Sequence, residues 1–406
     1  MFDWGVVGLG MLAAAVAGGA AFSAFALLCG AFTALFALAT AALSRRALER
    51  GGRPASAKPP ITVIKPLKGE DSELYENLAS FCRQDYPCFQ ILFCLSSPDD
   101  PALAAVTRLK KEFPDADLEV VVSKSRIGYN PKVNNMANAY PFAKYDLLLM
   151  SDADIRVTPG FLARMAAPFE DPAVGLVTSF YQASRAQGLW GLMESLSINA
   201  HFLPQAALAA RFGMRFAMGA AMMVRRAAFE RTGAFHNLAD HLADDFWLGE
   251  SVREAGWRLE TAEGVVDSVP GITSASGHFN HLVRWARTIR LCQPAGFYAS
   301  LVQHGFSLLV LRLLVQGPDR AGVALLFAVW GAKALAAAAL DANLGRRQPR
   351  RALWLLPLSE LFAFAAWLGA CASNTVLWRG ELFVVESKGR LLPAAPVAVR
   401  ALPVEP

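Results

Sequence analysis

The stretch YDLLLMSDADIRV, residues 145–157, joins an apolar run to two aspartates that are one residue apart. The run DLLLM, residues 146–150, predicts a buried strand, and Asp152 and Asp154 follow where that strand should end. Ligands of open α/β sheets bind just beyond the carboxyl ends of the strands. The two carboxylates therefore suit a site for a hard cation, although a solvated turn would use the same residues.

Similar runs recur along the chain between about residues 60 and 290 and alternate with longer helical patterns. This alternation indicates a mostly parallel sheet with helices on both faces. The candidate strands are 61–65, 90–96, 118–123, 146–150, 174–180 and 221–225. The candidate helices are 72–83, 101–112, 133–141, 159–168, 189–211 and 245–255. The sequence thus predicts an α/β domain with its site at the carboxyl edge of the sheet.

Apolar segments lie on both sides of this domain. Residues 5–43 carry no charged side chain, and a helix that crosses a bilayer needs about 20 apolar residues. We therefore expect a membrane anchor there. The basic segment 44–53 that follows should lie on the cytoplasmic side. The segments 297–315, 321–340 and 352–377 are long enough, or nearly so, to span, but Pro357 and Glu360 in the last one leave the number of spans open.

These patterns divide the chain of 406 residues into four parts. We predict an N-terminal anchor with its basic flank (1–53), a cytosolic domain ending in an interfacial helix (54–292), a C-terminal membrane region (293–378) and a tail (379–406). The net charge is +5, and its clusters near apolar segments favour lipid headgroups over nucleic acid as partners. The six cysteines show no CxxC pairing, which argues against a zinc site or a disulfide framework.

Two further acidic pairs stand at predicted element boundaries. Asp99 and Asp100 follow the strand 90–96, and Asp244 and Asp245 open the helix 245–255. Either pair suits a helix N-terminus. A carboxylate of the second pair, Asp244 and Asp245, could instead accept a proton from a substrate hydroxyl.

The segment FNHLVRWARTIRL, residues 279–291, has an arginine at every third position opposite an apolar side. This pattern is typical of a basic amphipathic helix in a membrane interface. Its first arginine, Arg284, could also bind a phosphate through paired hydrogen bonds.

Six motifs occur in a recognisable order: KPLKG (65–69), DDP (99–101), NPKVNN (130–135), DADIRV (152–157), DD (244–245) and HLVRW (281–285). Together they resemble the ceramide glucosyltransferase type of family, a lipid-modifying branch of the inverting nucleotide-sugar glycosyltransferases. The resemblance covers about residues 60–292. It implies a GT-A (Rossmann-like) α/β domain flanked by transmembrane helices, and transfer of a hexose from a UDP-sugar to a membrane lipid.

The resemblance leaves the lipid open. In the ceramide glucosyltransferase type of family the acceptor is ceramide and the product is a glucosylceramide. SDADIRV, LADDFWLG and RWARTIR also resemble a bacterial hopanoid-associated branch, where UDP-N-acetylglucosamine and bacteriohopanetetrol would be the substrates. Because the composition is rich in Ala and Arg, a bacterial inner membrane is the expected location.

The resemblance also assigns roles to matching positions. It implies that Asp245 is the general base and that Asp152, with Asp154, holds Mg²⁺ or Mn²⁺ at the diphosphate. Arg284 and Trp285 match the pair in the family's (Q/R)xxRW motif, in which His281 departs from the usual Gln or Arg. The residues expected to bind the nucleotide sugar are Lys65, Asp100, Lys132, Asp152 and His281.

Two other classes fit the sequence less well. A processive polysaccharide synthase needs a polymer channel, usually with more spans than the apolar segments supply. A non-catalytic, nucleotide-sugar-binding membrane scaffold would not need carboxylates at all three sites.

Overall fold

The computed structural model describes residues 19–44, 48, 57–70, 73–344, 350–378 and 381–393. Several predicted features lie outside these residues. They are the start of the apolar stretch 5–43, most of the basic flank 44–53 and the end of the tail, 394–406.

An eight-stranded sheet forms the centre of the α/β domain, in the order β3-β2-β1-β4-β7-β6-β8-β5. Its strands are β1 (Ile61–Pro66), β2 (Phe89–Leu95), β3 (Asp117–Val122), β4 (Leu147–Ser151), β5 (Ile155–Arg156), β6 (Val174–Ala183), β7 (Ala221–Arg225) and β8 (Arg258–Ser268). The pairs β1–β2, β2–β3, β1–β4 and β6–β8 are parallel. The pairs β4–β7, β6–β7 and β5–β8 are antiparallel. All six predicted strands are confirmed.

Helices cover both faces of the sheet, as predicted. Those of the domain are α2 (Leu74–Cys82), α3 (Ala102–Glu112), α4 (Pro131–Ala139), α5 (Phe161–Ala166), α6 (Gly188–Leu196), α7 (Leu203–Arg211), α8 (Arg226–Arg231) and α9 (Asp244–Glu254). A π-helical turn, Ser197–Phe202, joins α6 to α7. Along β4, Leu147 and Leu149 enter one core while Leu148 and Met150 enter the other. Successive strand residues face opposite sides, so an uninterrupted apolar run produces a doubly covered sheet.

Two strands of the eight-stranded sheet escaped prediction. β8 has only every second or third residue buried, and charged residues separate its apolar ones, so it lacks the apolar run of a central strand. β5 has only two residues, paired with the end of β8. Its pairing nevertheless fixes the turn that carries the D-x-D aspartates.

Four helices within the described residues are long and apolar enough to cross a membrane: Ala20–Leu43, Pro294–Gln316, Arg320–Asn343 and Ala352–Ala372. They contain α1 (Ala20–Leu43), α11 (Pro294–Ala299), α12 (Gly305–Gln316), α13 (Arg320–Asn343) and α14 (Leu356–Ala372). α1 and α12 approach closely at Gly305, where a Cβ would lie 2.5 Å from Thr33 Oγ1. Small residues allow such close helix packing in membranes.

The amphipathic segment forms α10 (Ala275–Cys292), but its arginines do not share one exposed face. Arg287 and Arg290 are buried and donate hydrogen bonds at the C-terminal end of α14. Arg287 reaches the Gly369 carbonyl at 2.9 Å, and Arg290 reaches the Ser373 carbonyl at 3.4 Å. The interpretation of an all-interfacial basic stripe is therefore wrong for these two. Their guanidinium groups satisfy carbonyls that the end of α14 leaves unpaired.

A small antiparallel sheet begins in the last residues of the predicted membrane region (293–378) and continues into the predicted tail. Its strands are β9 (Thr375–Trp378), β10 (Glu381–Val385) and β11 (Leu391–Pro393). The sheet is tied to the segment before α9, because the Leu242 N–H donates to the Gly389 carbonyl at 2.9 Å. In addition, Trp247 Nε1 donates to the Lys388 carbonyl at 2.7 Å. The C-terminal sheet thus supports the helix that carries Asp244 and Asp245.

Candidate active site

The carboxyl ends of β1, β2, β3 and β4 open onto one cavity of about 1380 Å³. Residues 66–68, Ser96, 123–126 and 152–155 line it directly after these strands. α10 contributes to the lining of the same cavity. The cavity thus lies at the carboxyl edge of the sheet, where the sequence predicts the site.

The D-x-D turn lies between β4 and β5, and both of its aspartates line this cavity. Asp154 is tied to the end of β8, where Ser268 Oγ donates to Asp154 Oδ2 at 2.7 Å. The Val269 N–H donates to the backbone carbonyl of the same aspartate at 2.9 Å. β8 therefore orients the second carboxylate, although β8 itself was not predicted.

Lys132 stands in the first turn of α4, between two acidic segments. Asn130 caps this helix by accepting the Val133 N–H at 3.0 Å. Lys132 Nζ lies 2.8 Å from Asp152 Oδ1 and 3.3 Å from Asp244 Oδ2. Burial alone would lower the pKa of Lys132, but the two carboxylates reverse this and raise it above its usual range. The side chain is therefore a permanent ammonium in the cavity wall.

Asp244 and Asp245 begin α9 and have different surroundings. Asp245 is half-buried; its Oδ2 accepts the Gly219 N–H at 2.8 Å and its Oδ1 the Phe246 N–H at 2.8 Å. Asp244 is buried, and burial raises its pKa to about 6, although the nearby Lys132 opposes this shift. The N-cap position belongs to Ala243, so neither aspartate is merely a cap.

Gly219 marks the place where these charged groups converge. A Cβ at this position would lie 3.2 Å from Asp245 Oδ2, 3.4 Å from Lys132 Nζ and 3.6 Å from Asp152 Oδ2. The structure thus brings the predicted general base and the predicted diphosphate ligand into one neighbourhood. A side chain larger than hydrogen would fill the space between them.

Two residues expected to bind the nucleotide sugar are not among those that line the cavity. Lys65 is fully buried and donates to Ser151 Oγ at 3.3 Å and to the Asp152 carbonyl at 2.5 Å. Burial lowers its pKa to about 7. Asp100 Oδ1 accepts the N–H groups of Gly69 and Ala102, at 2.9 and 3.0 Å. In this arrangement both residues support loops of the site, and direct contact with a nucleotide stays a prediction.

The motif residues of α10 all line the cavity: His281, Arg284 and Trp285. Residues three and four apart share one face of a helix, which explains the spacing of the motif. The Trp285 ring meets the His281 ring edge-on, with centroids 4.8 Å apart. It also meets Tyr181 of β6 edge-on, at 6.5 Å. These rings form an aromatic part of the wall of the cavity that the D-x-D turn also lines.

The cavity offers hard oxygen ligands for a metal ion, but too few to complete its coordination. Asp152 and Asp154 supply carboxylate oxygens, and Lys132 already pairs with one of them. In the part of the chain that the structure describes, no group of three or more His, Cys, Asp or Glu side chains could hold a metal ion. The residues therefore fit a Mg²⁺ or Mn²⁺ that takes its remaining ligands from a diphosphate, and they do not fit a resident structural metal.

Comparison with known families identifies the family of the chain. The sequence model of Glycosyl transferase family 21 matches residues 26–391. The chain belongs to this family. The resemblance read from the six motifs is thereby confirmed at the level of the family.

Two relatives of this family 21 chain come from Caenorhabditis elegans. Ceramide glucosyltransferase 1 is 27% identical over 235 residues, which are 58% of this chain and 50% of the relative. Ceramide glucosyltransferase 3 is 25% identical over 356 residues, 83% of this chain and 75% of the relative. The chain thus spans half the length of the first relative and three quarters of the second.

A solved structure supports the fold. A mannosyltransferase from Pyrobaculum calidifontis, in complex with GDP-Man and Mn²⁺, aligns with a TM-score of 0.52 and 20% identity. The alignment covers 86% of this chain and 97% of that one. At this identity the likeness shows the fold alone, and it confirms the predicted GT-A class.

Sequence reasoning missed several cavity residues of this family 21 protein, among them Tyr181, Glu194 and Gly219. Glu194 gave one signal, since it is an acidic residue within the otherwise apolar pattern of α6. Gly219 and Tyr181 lie in stretches rich in Ala, Met, Phe and Val, where nothing in the sequence separates site from core. The catalytic and binding roles of the motif residues remain predictions.

Proposed function

We propose that this protein is a membrane-bound inverting glycosyltransferase that moves a hexose from a UDP-sugar to the hydroxyl of a membrane lipid, as ceramide glucosyltransferases do. One observation carries the proposal: the D-x-D turn, Lys132, Asp245 and the Arg284–Trp285 pair line one cavity. The ceramide glucosyltransferases among its relatives support the choice of reaction.

Asp245 is the general base in this proposal. A lipid hydroxyl is a weak nucleophile until its proton leaves. Two backbone N–H groups hold the Asp245 carboxylate, so its orientation is set before substrate arrives. The carboxylate accepts the hydroxyl proton while the oxygen attacks the anomeric carbon. The bond to UDP breaks on the opposite face, which inverts the configuration.

The departing UDP gains negative charge on its diphosphate. Lys132 and Arg284 are cationic groups of the cavity that stabilise this charge, and groups fixed in place before the reaction do so most effectively. Asp152 and Asp154 would hold a Mg²⁺ or Mn²⁺, which supplies further neutralisation of the diphosphate when bound. Lys65 supports this arrangement from behind by bonding to the Asp152 carbonyl.

The membrane supplies the acceptor. Part of the cavity lining is apolar and exposed: Met214, Ile289 and Leu377 are 58%, 50% and 60% exposed. With four candidate spans in the same chain, this lining suits a lipid that presents its hydroxyl from the bilayer. We assign the catalytic domain to the cytoplasmic side, and the protein to a bacterial inner membrane, from the basic flank and the composition.

Ceramide is the acceptor favoured by the relatives. The hopanoid polyol is a second candidate because SDADIRV, LADDFWLG and RWARTIR resemble the hopanoid branch. UDP-glucose is the expected donor for the first lipid and UDP-N-acetylglucosamine for the second.

The test uses purified full-length protein in lipid nanodiscs with Mg²⁺ or Mn²⁺. UDP-glucose and UDP-N-acetylglucosamine are each offered with ceramide and with bacteriohopanetetrol. We expect transfer of glucose to ceramide with inverted configuration, and no transfer by the Asp245→Asn variant. Transfer to neither lipid would refute the lipid-acceptor proposal, and retained configuration would refute Asp245 as the base of a single displacement.

A further inference from the structure

Glu194, in α6, is a buried carboxylate that holds two histidines of α10. Its Oε2 lies 2.8 Å from His278 Nδ1, and its Oε1 lies 3.2 Å from His281 Nδ1. The His278 side chain is fully buried, whereas that of His281 is 25% exposed and lines the cavity. Both oxygens of Glu194 are thus used to fix one face of α10.

This geometry decides which nitrogen of each ring carries the proton. An ionised carboxylate only accepts hydrogen bonds, so both rings donate through Nδ1–H. The other nitrogen, Nε2, then carries a lone pair. His278 agrees with this assignment, since its Nε2 is buried with no hydrogen-bond partner among the described residues. Burying an unpaired lone pair costs less than burying an unpaired charged donor.

The surroundings of His281 keep its ring uncharged. Burial lowers its pKa to about 4, and Arg284 and His278 add to the lowering, while Glu194 opposes it. The ring is therefore uncharged near neutral pH. With Nδ1 on Glu194, Nε2 is the ring nitrogen left to bind a ligand in the cavity that His281 lines.

We propose that Glu194 and His281 recognise the acceptor lipid, with His281 Nε2 accepting a hydrogen bond from a second hydroxyl beside the one that is glycosylated. This inference rests on the proposed function. It names the acceptor class as a lipid with a 1,2- or 1,3-diol, and Glu194 as a positioning residue that acts through His281.

The charges in the cavity favour the acceptor over the donor as the partner of His281. A diphosphate needs donors, which Lys132 and Arg284 provide, whereas a lone pair repels it. Gln and Arg, the usual residues at the first position of (Q/R)xxRW, both donate, but His281 held by Glu194 accepts. His281 and the proposed base Asp245 line the same cavity.

The experiment compares a diol lipid with its deoxy analogue at saturating UDP-sugar, in nanodiscs containing the full chain. For ceramide the analogue lacks the C3 hydroxyl; for a hopanoid it keeps only the terminal hydroxyl. We expect the wild type to favour the diol by at least about tenfold in kcat/KM, because a site built to bind a hydroxyl rejects its absence. In His281→Ala and Glu194→Gln the diol should fall to the level of the deoxy lipid, with the KM for UDP-sugar unchanged.

His281→Gln should keep part of the preference for the diol, because the amide oxygen can accept the hydrogen bond in place of Nε2. The controls are Glu263→Gln and His236→Ala, both at exposed positions. If the wild type transfers sugar equally well to the diol and the deoxy lipid, the inference is overturned while lipid glycosylation stands. The inference also fails if the variants lose kcat/KM equally on both lipids. If Glu194→Gln does not fold, His281→Ala carries the same test. No transfer to any lipid would instead refute the proposed function.

Discussion

Lys132 Nζ lies 2.8 Å from Asp152 Oδ1, so the motif NPKVNN contacts the motif DADIRV directly. The same ammonium lies 3.3 Å from Asp244 Oδ2. One cation therefore connects the D-x-D turn with the start of α9. Its side chain is only 18% exposed, so these pairs are better shielded from water than a surface ion pair, which contributes little.

Removing this cation should disable the site. In Lys132→Met, Asp152 and Asp244 would face each other without compensation, and a buried charge that loses its partner is strongly unfavourable. We expect kcat/KM for sugar transfer to fall by about 100-fold or more, together with weaker UDP-sugar binding. The measurement is initial rates and donor titration. Lys144→Met is the matched control, because Lys144 pairs with Asp117 at an exposed position; equal rates for both variants would contradict the role of Lys132.

The two adjacent aspartates of α9 should behave differently. Asp245→Asn keeps the shape of the side chain but removes the proton acceptor, so turnover should be lost while UDP-sugar binding is largely retained. Asp244→Asn should weaken donor binding as well, because it removes a partner of Lys132. Rates and donor affinity are measured on both variants. Lost binding with residual transfer in Asp245→Asn would count against Asp245 as the base.

A single methyl group at position 219 should displace the carboxylate of Asp245. In Gly219→Ala the new Cβ would lie 3.2 Å from Asp245 Oδ2, which must shift, whereas Lys132 Nζ at 3.4 Å would be in ordinary contact. We expect activity to fall by about tenfold or more, since small misplacements of catalytic groups are costly. Gly331→Ala is the control, because nothing lies within 4 Å of its added Cβ. A similar loss of activity in both variants would point to general damage.

Much of the fold was predictable because buried parallel strands appear as continuous apolar runs. β1, β2 and β4 have this character. β8 does not, because its exposed residues interrupt the run. The C-terminal sheet was missed for a similar reason: WRGELFVVESKGR mixes charged and apolar residues, and the pairing of its strands depends on contacts with the segment before α9.

The site was predictable where chemistry follows a strand end. Asp152 and Asp154 are such residues, and the structure brings them into one cavity with Asp245, which was predicted at the start of a helix. Glu194 was not predictable, because its contacts are with two histidines of a helix more than 80 residues away in the sequence. Nor could the sequence separate Arg284, which lines the cavity, from Arg287, which caps another helix, since the two repeat the same spacing.

Lys65 should make stability depend on pH. Burial lowers its pKa from 10.5 to about 7, so between these values the unfolded chain binds the proton that the folded chain has lost. Stability therefore rises with pH across this window, by up to about 2 kcal/mol between about pH 7 and pH 9. As the pH rises, the Tm of the wild type should increase relative to the Tm of Lys65→Met. The Tm difference between the wild type and Lys144→Met should not change with pH. A pH-independent difference for Lys65→Met would disprove the lowered pKa of Lys65.

Arg287 should matter for stability and not for chemistry. Its guanidinium is buried, donates to the carbonyls of Gly369 and Thr375, and is absent from the cavity lining. In Arg287→Ala these carbonyls lose their donor, which costs about 1–3 kcal/mol, so we expect a lower Tm with near-normal kcat and KM at low temperature. Arg231→Ala, at an exposed position of α8, should change neither. A fall in kcat at unchanged Tm would mean that Arg287 meets substrate or lipid headgroups, as the simple stripe of arginines had indicated.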